Sequence, residues 1–226
     1  NNIPDDDDLN SQKQFWRNMF EEPTEMCELL KSGVADSDCA GTYSVIETSI
    51  GNVSCIHNYC SSEGIDRRSY YTAAFAVVLG NACRQTDVTF GTELPSKHDI
   101  NKKYVVPVRV DISSDISLSD HIYAINNMLC EAADNSDIRI DEILAISGHS
   151  TENELFRSVF KYHKEEDFSY ASNIPNELTK CKYGSEIIVE EKNDSVVLKV
   201  IYDQSMYSAI DISVFIDHVK YAAENM

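Results

Sequence analysis

Six histidines could supply acid–base chemistry, but no two of them are adjacent in the sequence. They are His57, His98, His121, His149, His163 and His218. His57 falls in a predicted short helix and His149 in the polar loop ISGHSTENE, where single histidines are usually part-buried or solvated side chains. No GxSxG, GxGxxG, Walker or HExxH string occurs in the sequence. No histidine is therefore assigned a catalytic role.

The seven cysteines are candidate nucleophiles or metal ligands. They stand at positions 27, 39, 55, 60, 83, 130 and 181. A nucleophilic thiol needs a histidine base beside it, and a zinc site needs ligands paired at short spacing. The sequence contains no CxxC, and its closest pair, Cys55 and Cys60, shares one predicted helix. We interpret the cysteines as reduced, partly buried thiols and predict no metal site.

Two pairs of adjacent glutamates are the remaining candidates for acid–base work. They are Glu165–Glu166 and Glu190–Glu191. Runs of like charge are usually solvated, so we predict that both pairs face water. The sequence thus offers material for a core and no complete active site.

The composition restricts the classes of partner. The net charge is −19, from 38 acidic and 19 basic residues, and it repels phosphate backbones and anionic lipid. We therefore expect neither nucleic acid nor a membrane surface as a partner. The opening stretch NNIPDDDDLN has neither the basic flank nor the apolar core of a signal peptide. We expect a cytoplasmic protein, with residues 1–8 as a flexible acidic linker and residues 9–226 as one domain.

Helical periodicity of the apolar residues predicts six helices. Their ranges are 9–22, 52–61, 66–83, 117–133, 139–146 and 208–225. The strongest pattern is that of 66–83, where Asp66 is a suitable N-cap. Its predicted buried stripe consists of Tyr70, Ala73, Ala74, Val77 and Val78. The helix over 117–133 carries Ile122, Ile125, Leu129 and Cys130.

Six segments rich in β-branched residues are predicted strands. They are 42–50, 87–94, 104–111, 156–163, 185–191 and 195–202. Pro107 places the third at a sheet edge or a bulge. Asn193–Asp194 supplies a turn that makes the last two a hairpin. Because strands and helices mix along the chain, the predicted fold class is α/β, a single lobe with a mixed β-sheet and packed helices.

Read in order, these segments resemble the condensation domains of nonribosomal peptide synthetases. The Phe15–Trp16 helix resembles the family's "yW…L" helix, and TAAFAVVLGNACRQTDVTFGTEL (72–94) resembles its Ala-rich helix followed by a "DVxFG" strand. VVPVRVD (105–111) is similar to the "lPvRv" strand, and the segment from 196 to 226 is similar to the closing "YD" strand and helix. The family-motif positions are Phe90, Gly91, Thr92, Pro107, Arg109, Tyr202 and Asp203.

The resemblance implies the C-terminal lobe of a chloramphenicol acetyltransferase-like pair. The family forms peptide bonds between aminoacyl groups tethered to phosphopantetheine, using an HHxxxDG motif in the N-terminal lobe. No HHxxxDG string occurs in this sequence. The implied lobe has no catalytic residue, metal site or bound cofactor of its own, and it is expected to be inactive by itself. Its implied partners are an N-terminal condensation lobe and adenylation and carrier domains, which carry the phosphopantetheine.

The sequence also departs from the family pattern. Lys102, Lys103 and Tyr104 stand where a glycine and an asparagine usually precede the "lPvR" strand, and Lys97–His98 stands near the position of a missing arginine. These departures leave two alternatives open. One is a non-catalytic scaffold lobe beside an adenylation domain, as in aminoadipate reductases. The other is a free-standing interaction module.

Overall fold

The structure is a computed structural model that describes most of the chain. The described residues are 6–29, 41–97, 99, 102–113, 117–165, 182–193 and 195–226. The first five residues of the predicted acidic linker lie outside this set, as do His98, Glu166, Asp194 and two of the cysteines, Cys39 and Cys181.

The described helices follow the apolar periodicity of the sequence. They are α1 (Asp6–Met19), α2 (Val53–Glu63), α3 (Arg67–Cys83), α4 (Leu118–Asp134), α5 (Ile140–Ser147), α6 (Glu152–Leu155) and α7 (Ala209–Asn225). Asp66 caps α3, as predicted, by accepting a hydrogen bond from the Arg68 amide. α1 begins at Asp6, three residues before the predicted start, because acidic residues in a first turn complement the helix dipole.

The described strands form one mixed six-stranded sheet. They are β1 (Tyr43–Ile50), β2 (Asp87–Pro95), β3 (Lys103–Asp111), β4 (Ser158–Lys164), β5 (Ser185–Lys192) and β6 (Ser195–Asp203). Their order across the sheet is β1-β6-β5-β4-β2-β3. β4 runs parallel to β2 and β5, and the other neighbouring pairs are antiparallel. β3 lies at an edge, as Pro107 predicts, and the predicted β5–β6 hairpin is confirmed.

α3 packs on one face of the sheet, which we call the helix face. The Phe75 ring lies 5.0 Å from that of Phe90 on β2 and 5.4 Å from that of Phe160 on β4, centroid to centroid. Tyr71 stacks on Tyr162 one turn earlier in the helix. α4 and α7 lie against the same sheet, with α4 on β2 and β3 and α7 on β1 and β6. The predicted α/β lobe, a mixed sheet with packed helices, is confirmed.

The predicted stripe on α3 is too narrow. Every residue from Ser69 to Ala76 is buried, whereas Val77, which was predicted to face the core, is only half-buried. A helix enclosed by a sheet and two further helices buries nearly its whole circumference. The interpretation of the cysteines as partly buried thiols is wrong for Cys55 and Cys130, which are exposed. On α4 the core position belongs to Leu129, the residue before Cys130, which is 4% exposed.

Candidate functional site

The first three motif residues, on β2, are engaged in packing. Phe90 is buried against Phe75 of α3. The Thr92 hydroxyl donates to the Phe160 carbonyl at 3.2 Å, which joins β2 to β4. Gly91 leaves room for the Phe156 ring, because a Cβ at this position would lie 2.5 Å from a ring carbon. The "FGT" segment therefore determines how closely the Phe156 ring packs against the sheet.

Arg109 on β3 fastens the sheet to the end of α1. Its guanidinium makes a bidentate contact with Asp87, with Nη2 to Oδ2 at 2.6 Å. Its Nη1 donates to the carbonyls of Met19 and Glu22. The neighbouring motif residue, Pro107, is buried and pairs with Gly91 in the β2–β3 ladder.

Tyr202 and Asp203 organise the end of β6. Tyr202 is 1% exposed and belongs to the core. The Asp203 carboxylate accepts hydrogen bonds from the amide and the hydroxyl of Ser205, at 2.8 and 2.6 Å, and so shapes the turn that leads into α7. All seven motif residues thus have structural roles, and they lie along three strands instead of forming one cluster.

The sheet face opposite α3, which we call the open face, carries a network of charged side chains. Alternation along the strands places it there, because Phe90, Phe160 and Tyr162 point toward α3. The open-face network consists of Glu93, Lys103, Lys161, His163, Glu186, Glu190 and Lys199. Lys161 Nζ lies 2.5 Å from Glu186 Oε2, and Lys199 Nζ lies 2.9 Å from Glu190 Oε2.

Glu93 and His163 form the centre of this network. His163 Nε2 lies 3.1 Å from Glu93 Oε2, and Lys103 Nζ lies 3.9 Å from the same oxygen. Burial would raise the pKa of Glu93, but the hydrogen bond from His163 and the charges of His163, Lys161 and Lys103 outweigh it and lower this pKa. The ionised carboxylate in turn orients the His163 ring. Neither residue was singled out from the sequence, because the pair becomes visible only once β2 and β4 share one sheet.

A second charged cluster lies on the helix face. We call it the Glu191 cluster, and it consists of Glu191, Arg67, Tyr162 and His57. Tyr162 donates its hydroxyl to Glu191 Oε2 at 2.5 Å, and Arg67 pairs with Oε1. His57 Nε2 lies 3.5 Å from the same Oε1.

The prediction that Glu190 and Glu191 form a solvated charge run is wrong. Glu191 is 7% exposed, and Glu190 is paired with Lys199 on the opposite face of the sheet. Adjacent residues of a strand point to opposite faces, so each glutamate meets a different set of cations. A buried carboxylate needs such partners because an unpaired charge is costly to bury.

Neither cluster contains a poised nucleophile. Cys60, three residues after His57, has its pKa raised to about 11, chiefly by burial, which keeps it a thiol at neutral pH. Burial and the nearby Glu191 raise the pKa of Tyr71 and Tyr162 as well. In the part of the chain that the structure describes, no three His, Cys, Asp or Glu side chains are grouped to hold a metal ion. None of the described helices is long and apolar enough to cross a membrane.

The comparison with family models decides the family of this chain. The condensation-domain model matches residues 1–226, the whole chain. The chain belongs to the condensation-domain family. Cyclochlorotine synthetase of Talaromyces islandicus is 20% identical over 194 residues, which are 74% of this chain and 3% of that protein.

Several solved structures share the fold at low sequence identity. The X-domain from teicoplanin biosynthesis has a TM-score of 0.78 at 16% identity, over 96% of this chain and 55% of that one. A four-domain nonribosomal peptide synthetase bound to AMP and glycine has a TM-score of 0.79 at 12% identity, over 99% of this chain and 20% of that one. The epimerization domain of tyrocidine synthetase B has a TM-score of 0.70 at 14% identity and is covered over 55% of its length. The chain therefore spans about half of these single-domain neighbours and a small part of the multidomain ones.

Proposed function

We propose that this chain is the C-terminal lobe of a condensation domain in a nonribosomal peptide synthetase. In this role it forms one wall of a channel in which aminoacyl groups tethered to phosphopantetheine meet and form a peptide bond. The observation that carries the proposal is coverage: 96% of the chain superposes on 55% of the X-domain, and the sequence lacks HHxxxDG. One lobe accounts for both facts.

The open-face network is the part of the lobe that suits a wall facing a second lobe or a carrier. Its three glutamates stand against three lysines and His163, in a chain whose net charge is −19. A partner surface that is itself acidic would be repelled by most of this chain. A charge-balanced patch removes that repulsion locally, so this face is where we place the contact with the N-terminal lobe and the carrier domains.

A scaffold role beside an adenylation domain is the second candidate. The observation that favours it is the engagement of all seven motif residues in packing or turns, as with Arg109 between Asp87, Met19 and Glu22. A scaffold needs a stable lobe and no channel chemistry.

The two candidates differ in what the open face does. The experiment uses the parent protein, with aminoacyl groups loaded on its carrier domains, and compares His163→Ala and Lys161→Ala with Glu131→Ala, an exposed control on α4. The condensation proposal expects an HHxxxDG lobe ahead of Asn1 and a peptide-forming rate at least tenfold lower in both open-face variants. A parent protein without that lobe, or rates equal to the control in folded variants, contradicts it and supports the scaffold.

A further inference from the structure

Residues 20–29, which we call the lead segment, run from the end of α1 across the sheet and are fixed by side-chain contacts. The Thr24 and Thr89 hydroxyls lie 2.8 Å apart. At the far end of the segment, the Glu28 carboxylate pairs with Arg157 at 2.8 Å. The segment thus depends on a few contacts to stay against β2 and the start of β4.

Two of these contacts involve thiols. Cys27 Sγ lies 2.8 Å from the side-chain oxygen of Gln85, two residues beyond Cys83. Cys83 Sγ lies 3.2 Å from the carbonyl of Glu28, the residue after Cys27. Because Glu28 follows Cys27 and Gln85 lies two residues after Cys83, these crossed contacts place the two thiol side chains beside each other.

We propose that Cys27 and Cys83 are a thiol modification site, which an oxidant converts into a disulfide that fixes the lead segment to the end of α3. Both cysteines are free thiols in the structure. The contact is not a chance pairing of neighbours in sequence, since 56 positions separate the two residues. A bond between them would close residues 27–83, which include β1, α2 and α3, into one covalent loop.

The reaction is a thiol–disulfide exchange with a small disulfide such as oxidised glutathione. Cys83 is partly exposed whereas Cys27 is 1% exposed, so the first attack comes from the Cys83 sulfur. It forms a mixed disulfide and releases one glutathione thiol. The Cys27 sulfur then attacks the Cys83 sulfur and releases the second. Two protein thiols are oxidised, one disulfide is reduced to two thiols, and both protein protons go to the leaving thiolates.

The hydrogen bond between the thiols determines which of them ionises first. It lowers the pKa of Cys27 and raises the pKa of Cys83. Cys27 is therefore the one that is more readily held as a thiolate, which is the nucleophilic form of the side chain. The partly exposed Cys83 sulfur becomes the attacking thiolate of the first step when its proton passes to Cys27 along this hydrogen bond.

The test is oxidation of the full chain with oxidised glutathione, followed by peptide mapping without reduction. We expect a cross-linked pair of peptides containing Cys27 and Cys83 and a rise in Tm on the order of 5–10 °C, as for a disulfide that closes a loop of this size. Both changes should be reversed by dithiothreitol. Cys27→Ser and Cys83→Ser, checked for an unchanged Tm in reductant, should abolish the cross-link, whereas Cys55→Ser with Cys130→Ser should keep it.

Three results would contradict the proposal that Cys27 and Cys83 form a stabilising disulfide. The first is a mixed disulfide at Cys83 that persists without a bond to Cys27. The second is a cross-link between other cysteines at the same oxidant concentration. The third is a 27–83 bond that leaves the Tm unchanged or lowers it. None of these readouts depends on peptide-bond formation, so the outcome is independent of the condensation proposal.

Discussion

Glu191 joins three elements through one carboxylate on the helix face. It lies on β5 and binds Arg67 of α3 and Tyr162 of β4. Glu191→Ala leaves the tyrosine hydroxyl buried without its acceptor, while the guanidinium, 34% exposed, can still reach water. We expect a loss of about 2–3 kcal/mol in the free energy of unfolding, measured by urea denaturation.

Two further variants provide reference values for the loss of stability expected in Glu191→Ala. Tyr162→Phe removes only the hydroxyl and should cost about 1 kcal/mol. Glu47→Ala removes an exposed carboxylate from β1 and should stay within about 0.5 kcal/mol of the wild type. A Glu191→Ala protein as stable as the Glu47 control would mean that the buried cluster contributes nothing.

Position 91 has room only for glycine because the Phe156 ring packs against it. An added methyl group would overlap the ring edge, so Gly91→Ala should cost about 1–3 kcal/mol through overpacking. Replacing the ring by a smaller side chain, as in Phe156→Leu, makes room for the methyl group. The double variant should therefore lose at least about 1 kcal/mol less than the sum of the two single losses. Additive losses in a double-mutant cycle would contradict the contact.

The buried His121 should make the free energy of unfolding depend on pH. Burial lowers its pKa, against a smaller opposing effect of Asp111, and the pKa of an unfolded histidine is about 6.5. Below that value the unfolded chain binds more protons than the folded chain, so the free energy of unfolding falls with falling pH. It should be at its full value above pH 6.5 and decline until the pH passes the lower folded pKa.

The measurement is Tm as a function of pH for the wild type and His121→Gln. We expect the variant to have a shallower decline between about pH 6.5 and 5. Glu93 does not interfere in that window, because its lowered pKa keeps it ionised there. Parallel curves for the two proteins would rule out His121 as the source.

At the scale of elements, α3 determines whether the lobe assembles. Ala74 is fully buried between the sheet and its neighbouring helices, so Ala74→Glu places a charge where it has no partner. We expect a loss of roughly 3–5 kcal/mol, measured by denaturation. The matched control is Asn81→Glu, an exposed position of the same helix, which should change stability by less than about 0.5 kcal/mol. Equal losses in the two variants would place Ala74 outside the core.

The elements were predictable from the sequence where a local pattern determines them. The cap of α3 at Asp66, the edge position of β3 and the β5–β6 hairpin all depend on residues close to one another in the chain. The charged clusters depend on strand register instead. Glu191 and Tyr162 are 29 positions apart. The spacing of apolar residues along the sequence does not indicate that β4 and β5 are parallel neighbours.

The same distinction explains the family motifs. Their order along the chain identified the fold, because motif residues such as Gly91 and Arg109 fix how elements pack. Their roles could not be read from the sequence, since the partners of Arg109 lie at the end of α1, about 90 positions earlier. Likewise, Glu93 and His163 lie 70 positions apart and showed no signal before the sheet was known.

At the scale of the whole molecule, the lobe has two chemically different sides. The helix face is closed by α3, α4 and α7 around an aromatic core. The open face carries a charge-balanced network in a strongly acidic chain. That asymmetry is what we expect of a subunit that meets partner domains with one side.

The central claim is that this chain is half of a condensation domain and has no peptide-forming activity of its own. The most direct measurement is the rate at which purified residues 1–226 join aminoacyl groups presented on two carrier proteins, followed by mass spectrometry of the carrier-bound product. The account predicts a rate equal to that of the carriers alone, because the sequence contains no HHxxxDG pair to position the attacking amine. Turnover above that background by the isolated chain, abolished by a single substitution at His163 or His57, would contradict it.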